Sequence, residues 1–397
     1  MIFGRGFKLY LPLLFMVHFL FRHFLLPGAI LIGLLLLPAP LLAQDNPPWS
    51  GFGIEVNGIA AKVIKHEAKF TLPIPALTTG IDVNLLLHTY GRKPWEQRRR
   101  YPTIGLGFTY IHYGIDSIYG HSLGMYPNMI IPLFTTKNLE WDLKIGDGIG
   151  YITKIYHRTA PVDTINVAIG SHINDFAMLM TDLRYHINKH WDAQLGIQMT
   201  HISDASYHKP NLGINTTGAH FGIVYSPVTS RPTHILRTLA PLKNRWLIQA
   251  KLGMAMVSSY TAGGPLYPIY VGSAYVSRRW WSKNKAFAGI DYSFHENIYA
   301  YLRNNGIDPG QEAQNSYKSA LFAGNEFLIG RVGIMLQAGV YLRQAYIRLD
   351  PVYEKVGGNY YFVRNEKGPI KEFFAYVAVK TDLSVAEFGE FGMGFGF

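Results

Sequence analysis

A histidine and a serine two residues apart, His201 and Ser203, open the segment of this chain best equipped for chemistry, with Asn211 and Asn215 close behind. If residues 190–203 form a strand, both side chains leave the same face, roughly 6.5–7 Å apart along it, and the imidazole can reach the hydroxyl. An imidazole beside a hydroxyl is the minimum for nucleophilic acyl transfer, because the ring accepts the proton as the oxygen attacks. The pair predicts a serine hydrolase with Ser203 as nucleophile and His201 as general base.

The strand is legible in its alternation. From Trp191 the odd positions read Trp191, Ala193, Leu195, Ile197 and Met199 before His201 and Ser203, while the even ones read Asp192, Gln194, Gly196, Gln198 and Thr200. In a soluble sandwich the apolar face would point into a core, and in a transmembrane barrel it points at lipid while the polar face lines the lumen. In the barrel setting His201 and Ser203 stand on the lipid-facing wall at a strand end. Asn215 shares that phase in the next alternating segment, which runs from 215 to 227. Polar groups there are costly unless paired or functional, and the cost falls near the interface, so an inert interfacial pair is the plain alternative. A working site on the outer wall would act on an acyl lipid already dissolved in the bilayer.

Residues 1–43 carry Arg5, Lys8 and Arg22, no acid, and two apolar stretches ending at Ala43, which predicts a secretory signal peptide; a membrane anchor is the rival reading. The net charge of +11 falls to +8 without those three basic residues, favouring anionic partners such as lipid phosphates. With no cysteine in the chain, disulfides and thiolate chemistry are excluded.

Beyond Ala43 no apolar run is long enough for a transmembrane helix, and alternating segments of about ten residues recur instead. Fourteen are read between 51 and 397, with 12–16 as the range, which predicts an all-β fold: a single transmembrane antiparallel β-barrel spanning 44–397. The segment 121–134 is ambiguous because Pro127 and Pro132 interrupt a ladder, and 347–370 reads as a long loop. The 26 tyrosines and 7 tryptophans suit aromatic girdles at the two interfaces. The last residues alternate glycine with phenylalanine and end on Phe397, a pattern that resembles the assembly signal of bacterial outer-membrane barrels.

Within 160–227 the residues resemble the lipid A 3-O-deacylases of the PagL type, also called acyloxyacyl hydrolases. The resemblance rests on His201-x-Ser203, Pro210-Asn211, the Gly213/Asn215 exit into the next strand, and Asn166-Val-Ala-Ile-Gly170-Ser before the motif. It implies an eight-stranded outer-membrane barrel, here expanded after 227, that removes an ester-linked acyl chain from lipid A in the outer leaflet, with lipopolysaccharide as partner and no cofactor. It also implies Ser203 as nucleophile, His201 as base and Asn211 as an oxyanion donor. Two positions depart from the family pattern. Asp204 stands where an asparagine contributes to the oxyanion hole, and Asn215 stands where a glutamate orients the histidine. An Asp-to-Asn exchange at the comparable place in a serine protease costs about 10⁴ in rate. The alternative function is therefore a non-catalytic barrel, a porin, transporter or surface-interaction protein that keeps the fold.

The remaining candidates are weaker. The other histidines show no metal-ligand spacing on one face, so no metal is expected, and nucleic acid is an improbable partner for a secreted barrel. The run Arg92-Lys93-Pro-Trp95-Glu-Gln-Arg98-Arg99-Arg100 offers either an anion-binding patch or a solvated loop.

Overall fold

The computed structural model describes residues 46–65, 69–157, 165–281, 283–348, 350–365, 367–383 and 385–397. The expected signal peptide over 1–43 lies outside them. Among the described residues, sixteen strands, joined by few helices, close into two separate antiparallel barrels of eight strands each. The first runs β1 (Phe52–Ile64), β2 (Thr78–His88), β3 (Thr103–His112), β4 (His121–Thr135), β5 (Leu139–Ile152), β6 (Ile173–His186), β7 (Trp191–Ser203) and β8 (Ile214–Tyr225). It closes by pairing β8 back onto β1, from Asn215 opposite Ile64 to Tyr225 opposite Ile54. The second runs β9 (Trp246–Ser258), β10 (Leu266–Trp280), β11 (Asn284–His295), β12 (Tyr317–Ile329), β13 (Val332–Arg343), β14 (Val352–Arg364), β15 (Glu372–Asp382) and β16 (Val385–Gly396), with β16 closing on β9. A five-residue helix α1 (Pro94–Arg98) sits between β2 and β3, and α2 (Glu296–Asn304) follows β11.

The transmembrane all-β expectation holds, and the single barrel does not. Alternation reports which face a residue takes but not which strands pair, so it cannot tell one ring of strands from two. The break falls at 226–245, where Pro227, Pro232 and Pro241 withhold the N–H groups a continuing ladder needs. The two strands missing from the sequence reading are β4 and β14. In β4 the prolines fall at irregularities: pairing with β5 skips from Met125 to Asn128 and shifts again between Pro132 and Phe134, while pairing with β3 stays continuous. In β14 the adjacent Gly357 and Gly358 and a register shift near Tyr361 blur the period of two.

Eight strands leave an interior just wide enough to fill with side chains. In the first barrel the middle of the lumen is polar: Glu55 bonds Lys144 and faces Arg184 at 3.5 Å, and Arg184 also faces Asp142 at 3.5 Å. Towards the ends of β1, β3, β5 and β7 the filling turns apolar, with Phe70, Tyr113, Tyr119, Ile152, Phe176, Ile202 and Ile214 in one cluster. The second lumen is filled likewise, Lys355 meeting Asp291 at 3.0 Å and Glu390 at 3.1 Å, and Lys285 meeting Glu326 at 2.9 Å and Glu372 at 3.0 Å. Removing one partner of such a buried pair leaves an uncompensated charge, so each pair fixes the inward register of its strands. Leu195, Ile197 and Phe221 on the first barrel, and Ile248, Leu252 and Val377 on the second, are exposed on the outer walls, as lipid contact requires.

Candidate active site

Strand β7 turns Gln194, Gln198, Thr200 and Ile202 into the lumen, which leaves His201 and Ser203 on the outer phase at the strand's last turn of pleat. Ile202, fully buried in the apolar plug, anchors the segment between them. Register then sets the third member, because His201 lies directly opposite Asn215 on β8. The Asn215 Oδ1 stands 2.5 Å from His201 Nδ1, and His201 Nε2 stands 2.9 Å from Ser203 Oγ. A carboxamide oxygen only accepts, so Nδ1 carries the ring proton and Nε2 is left as the acceptor for the serine O–H. That tautomer is the one a general base needs.

The loop after Ser203 supplies the surroundings. Asn211 Oδ1 accepts a hydrogen bond from the Asp204 backbone N–H at 3.2 Å, which ties the Asn211 side chain to the residue after the serine. The Asp204 carboxyl is held within the loop, Oδ2 accepting from the His208 N–H at 3.0 Å. Burial pushes this carboxyl up to about 7, against the lowering effect of its bonds to the His208 N–H, the Ser171 side chain and the Tyr207 and Ser206 N–H groups. Asp204 is therefore largely uncharged below neutral pH, which reduces the repulsion its charge would exert on a neighbouring oxyanion. Gly213 adopts φ +76°, and a Cβ there would stand 2.9 Å from His201 Cε1, so only glycine leaves the ring its place. Its N–H donates to the Ala168 carbonyl at 2.9 Å, and a Cβ on Gly170 would meet the carbonyls of His208 and Pro210, so the segment 166–170 braces the loop from behind.

All five residues expected at the site, His201, Ser203, Asp204, Asn211 and Asn215, come together. What sequence reasoning missed is the contribution of the second barrel. Lys209 N–H donates to Ser258 Oγ at 3.1 Å, Gly263 N–H donates to the Lys209 carbonyl at 3.0 Å, and the Lys209 ammonium lies 4.5 Å from the Tyr260 ring centre. Ser206 Oγ–H donates to the Ala386 carbonyl at 2.6 Å. Ala205 and Ser206 hold left-handed φ values of 51° and 66°, a strain persisting only where the surroundings enforce it, and the second barrel provides that enforcement. No local signal points to these partners, which lie far along the chain from the motif.

One histidine grouping also escaped the spacing argument. Cross-strand register pairs His112 with His121, and Asp116 from the intervening turn lies 2.8 Å from His112 Nε2 and 3.8 Å from His121 Nε2, all three ligand atoms falling within 4.8 Å of one another. Here the carboxylate ties the 113–120 turn to the outer wall.

Among known families, "Lipid A 3-O-deacylase (PagL)" matches residues 79–224 and "Acyloxyacyl hydrolase, C-terminal domain" matches residues 244–397. A search of the curated proteins finds no match. Among solved structures the chain is similar to Neisserial surface protein A, at 10% identity and a TM-score of 0.32, over 44% of this chain and 97% of that one. It is also similar to the outer membrane enzyme PagL, at 18% identity and a TM-score of 0.26, over 42% of this chain and 97% of that one.

Proposed function

We propose, from a chain that joins a lipid A 3-O-deacylase (PagL) family domain to an acyloxyacyl hydrolase C-terminal domain in the bacterial outer membrane, that the protein is a serine esterase removing an ester-linked acyl chain from lipid A. The observation that carries this reading is the unbroken relay Asn215–His201–Ser203 on the outer wall of the first barrel. A nucleophile on that wall meets a substrate that never leaves the membrane, so the enzyme needs no pocket deep enough to extract a lipid.

In the reaction, His201 Nε2 takes the Ser203 proton as Oγ attacks the ester carbonyl. The tetrahedral oxyanion forms beside the Asn211 Nδ2 donor, whose stabilisation is worth roughly 2.7–4 kcal/mol where a comparable side-chain donor has been removed. His201 then protonates the departing sugar hydroxyl, leaving an acyl-Ser203 ester. Water, deprotonated by the same ring, releases the fatty acid and restores the serine. Asn215 holds the ring and its tautomer but brings no charge to the imidazolium, so the expected enzyme is slower than one with a carboxylate there. Both lumina are occupied by paired side chains, which speaks against a channel. The test is mass spectrometry of lipid A incubated with the purified protein and with Ser203→Ala.

A further inference from the structure

The end of the second barrel that carries Phe397, remote from the Ser203 loop, holds a half-open cavity of about 390 Å³ whose wall is strongly basic. Its lining includes Arg98 and Trp95 from α1, Ser277 and Arg279 from β10, and Arg364 from the end of β14. The basic run at 92–100 explains how the wall is assembled. Arg99 donates to the carbonyls of Leu328 at 3.0 Å and Lys283 at 2.5 Å, docking α1 on the second barrel, while Arg98 donates to the Ala240 carbonyl at 2.6 Å.

Three of the guanidinium groups of this wall, those of Arg98, Arg279 and Arg364, have no ion pair among the described residues. Arg98 and Arg364 bond backbone carbonyls, Arg364 reaching Gly330 O at 2.8 Å, so their hydrogen bonds leave their charge uncompensated. Arg279 lies directly opposite Lys285 across β10 and β11, a like-charge pairing that costs stability unless something offsets it. Lys285 has its offset in Glu326 and Glu372, whereas Arg279 has no ion pair and its Nε is buried with no hydrogen-bond partner among the described residues. Glu372, the single carboxylate of the lining, is already held by Lys285 and by the Gln249 amide at 2.8 Å. Two residues from Arg279 on the same inward face, Ser277 is 1% exposed and its Oγ also lacks a partner among the described residues. Buried donors without acceptors mark a place where a ligand supplies them.

We propose that this cavity binds a phosphate group carried on a small polar body of the glycerophosphate class. Guanidinium groups at Arg98, Arg279 and Arg364 offer more donors than a carboxylate can accept, and a phosphate has the oxygens to take them together with the Ser277 hydroxyl. The volume exceeds that of a bare phosphate, and Trp95 gives the carbon skeleton an apolar wall. The same chemistry is presented by a soluble phosphomonoester and by a phospholipid headgroup at the membrane surface.

The experiment uses the full chain in detergent, at fixed ionic strength in chloride, with sn-glycerol 3-phosphate followed by calorimetry and ³¹P line broadening. A parallel arm uses native mass spectrometry after reconstitution in phosphatidylglycerol nanodiscs. Binding in the first arm alone identifies a soluble ligand, and retention of lipid in the second identifies a headgroup. Either supports the site if Arg279→Gln and Arg364→Gln each weaken binding by about tenfold or more, while Lys137→Gln, at an exposed turn, leaves it unchanged. The proposal is overturned if the wild type binds neither probe above the chloride background, or if Lys137→Gln weakens binding as much as the arginine variants do. Wild-type binding decides the matter even if a variant fails to fold, and heat-modifiable migration reports folding.

Discussion

His201 and Asn215 face each other across the ladder of β7 and β8, with Asn215 Oδ1 2.5 Å from His201 Nδ1. An amide in this place orients the ring without stabilising its charged form. Asn215→Glu is therefore expected to raise the acylation rate by supplying the missing charge, and Asn215→Ala to lower kcat by roughly 10², within the range general-base catalysis contributes. Single-turnover measurement of fatty-acid release by the three proteins checks both, and an Asn215→Ala enzyme as fast as wild type removes the residue from the relay.

Asp204 is expected to make the proposed reaction pH-dependent. Its carboxyl titrates at about 7, held up chiefly by burial, so it is neutral below that pH and anionic above it. A negative charge there opposes the oxyanion forming beside Asn211, and the rate should decline as pH rises through 7. In Asp204→Asn the decline should vanish, because the amide keeps an acceptor for the His208 N–H and has nothing to ionise. A pH–rate profile unchanged by the substitution would show that Asp204 does not communicate with the site.

Gly213 should tolerate no side chain. Besides the left-handed φ of +76°, the methyl of Gly213→Ala would press on His201 at 2.9 Å from Cε1. The expected result is a fall in kcat of at least about tenfold with a smaller change in thermal stability, since an incompatible φ costs a protein only about 1 kcal/mol or somewhat more. Equal activity of the variant would mean that the ring can move without loss.

The second barrel is expected to matter to catalysis through the loop it holds. Ser258→Ala deletes the acceptor for Lys209 N–H, and Gly389→Val adds bulk where a Cβ would already be 3.3 Å from the Ala205 Cβ. Both should lower kcat/KM while leaving the first barrel folded, and should hasten protease cleavage within 204–212. A kcat/KM unchanged in both variants would reduce the second barrel to a passive neighbour.

The grouping of His201, Ser203 and Asn215 was legible from the sequence because those three residues lie within one hairpin. Alternation placed His201 and Ser203 on one face and returned the next strand in the same phase at Asn215, and the structure supplies the register that sets 201 opposite 215. The membrane setting was legible for the same reason, since outward Leu195 and inward Gln194 differ by one position. The division into two barrels was not, because the partners of a strand depend on closure, and Tyr225 opposite Ile54 is a contact that no period encodes. Pro127 and Pro132 concealed β4 because a proline rule states what a regular ladder forbids, and the β4–β5 ladder is irregular where they lie. The hold of Ser258 and Ala386 on the loop was invisible for want of any signal linking residues so far apart.

The central claim is that Ser203 is the nucleophile of a lipid A esterase, and the mass spectrum of lipid A tests it most directly. Lipid A incubated with the purified wild-type protein should lose the mass of one ester-linked acyl chain, with a 3-hydroxy fatty acid recovered in the released fraction. Ser203→Ala and His201→Ala, both showing normal heat-modifiable migration, should leave the spectrum unchanged. Release by Ser203→Ala at the wild-type rate, or no release by the wild type itself, would contradict the account.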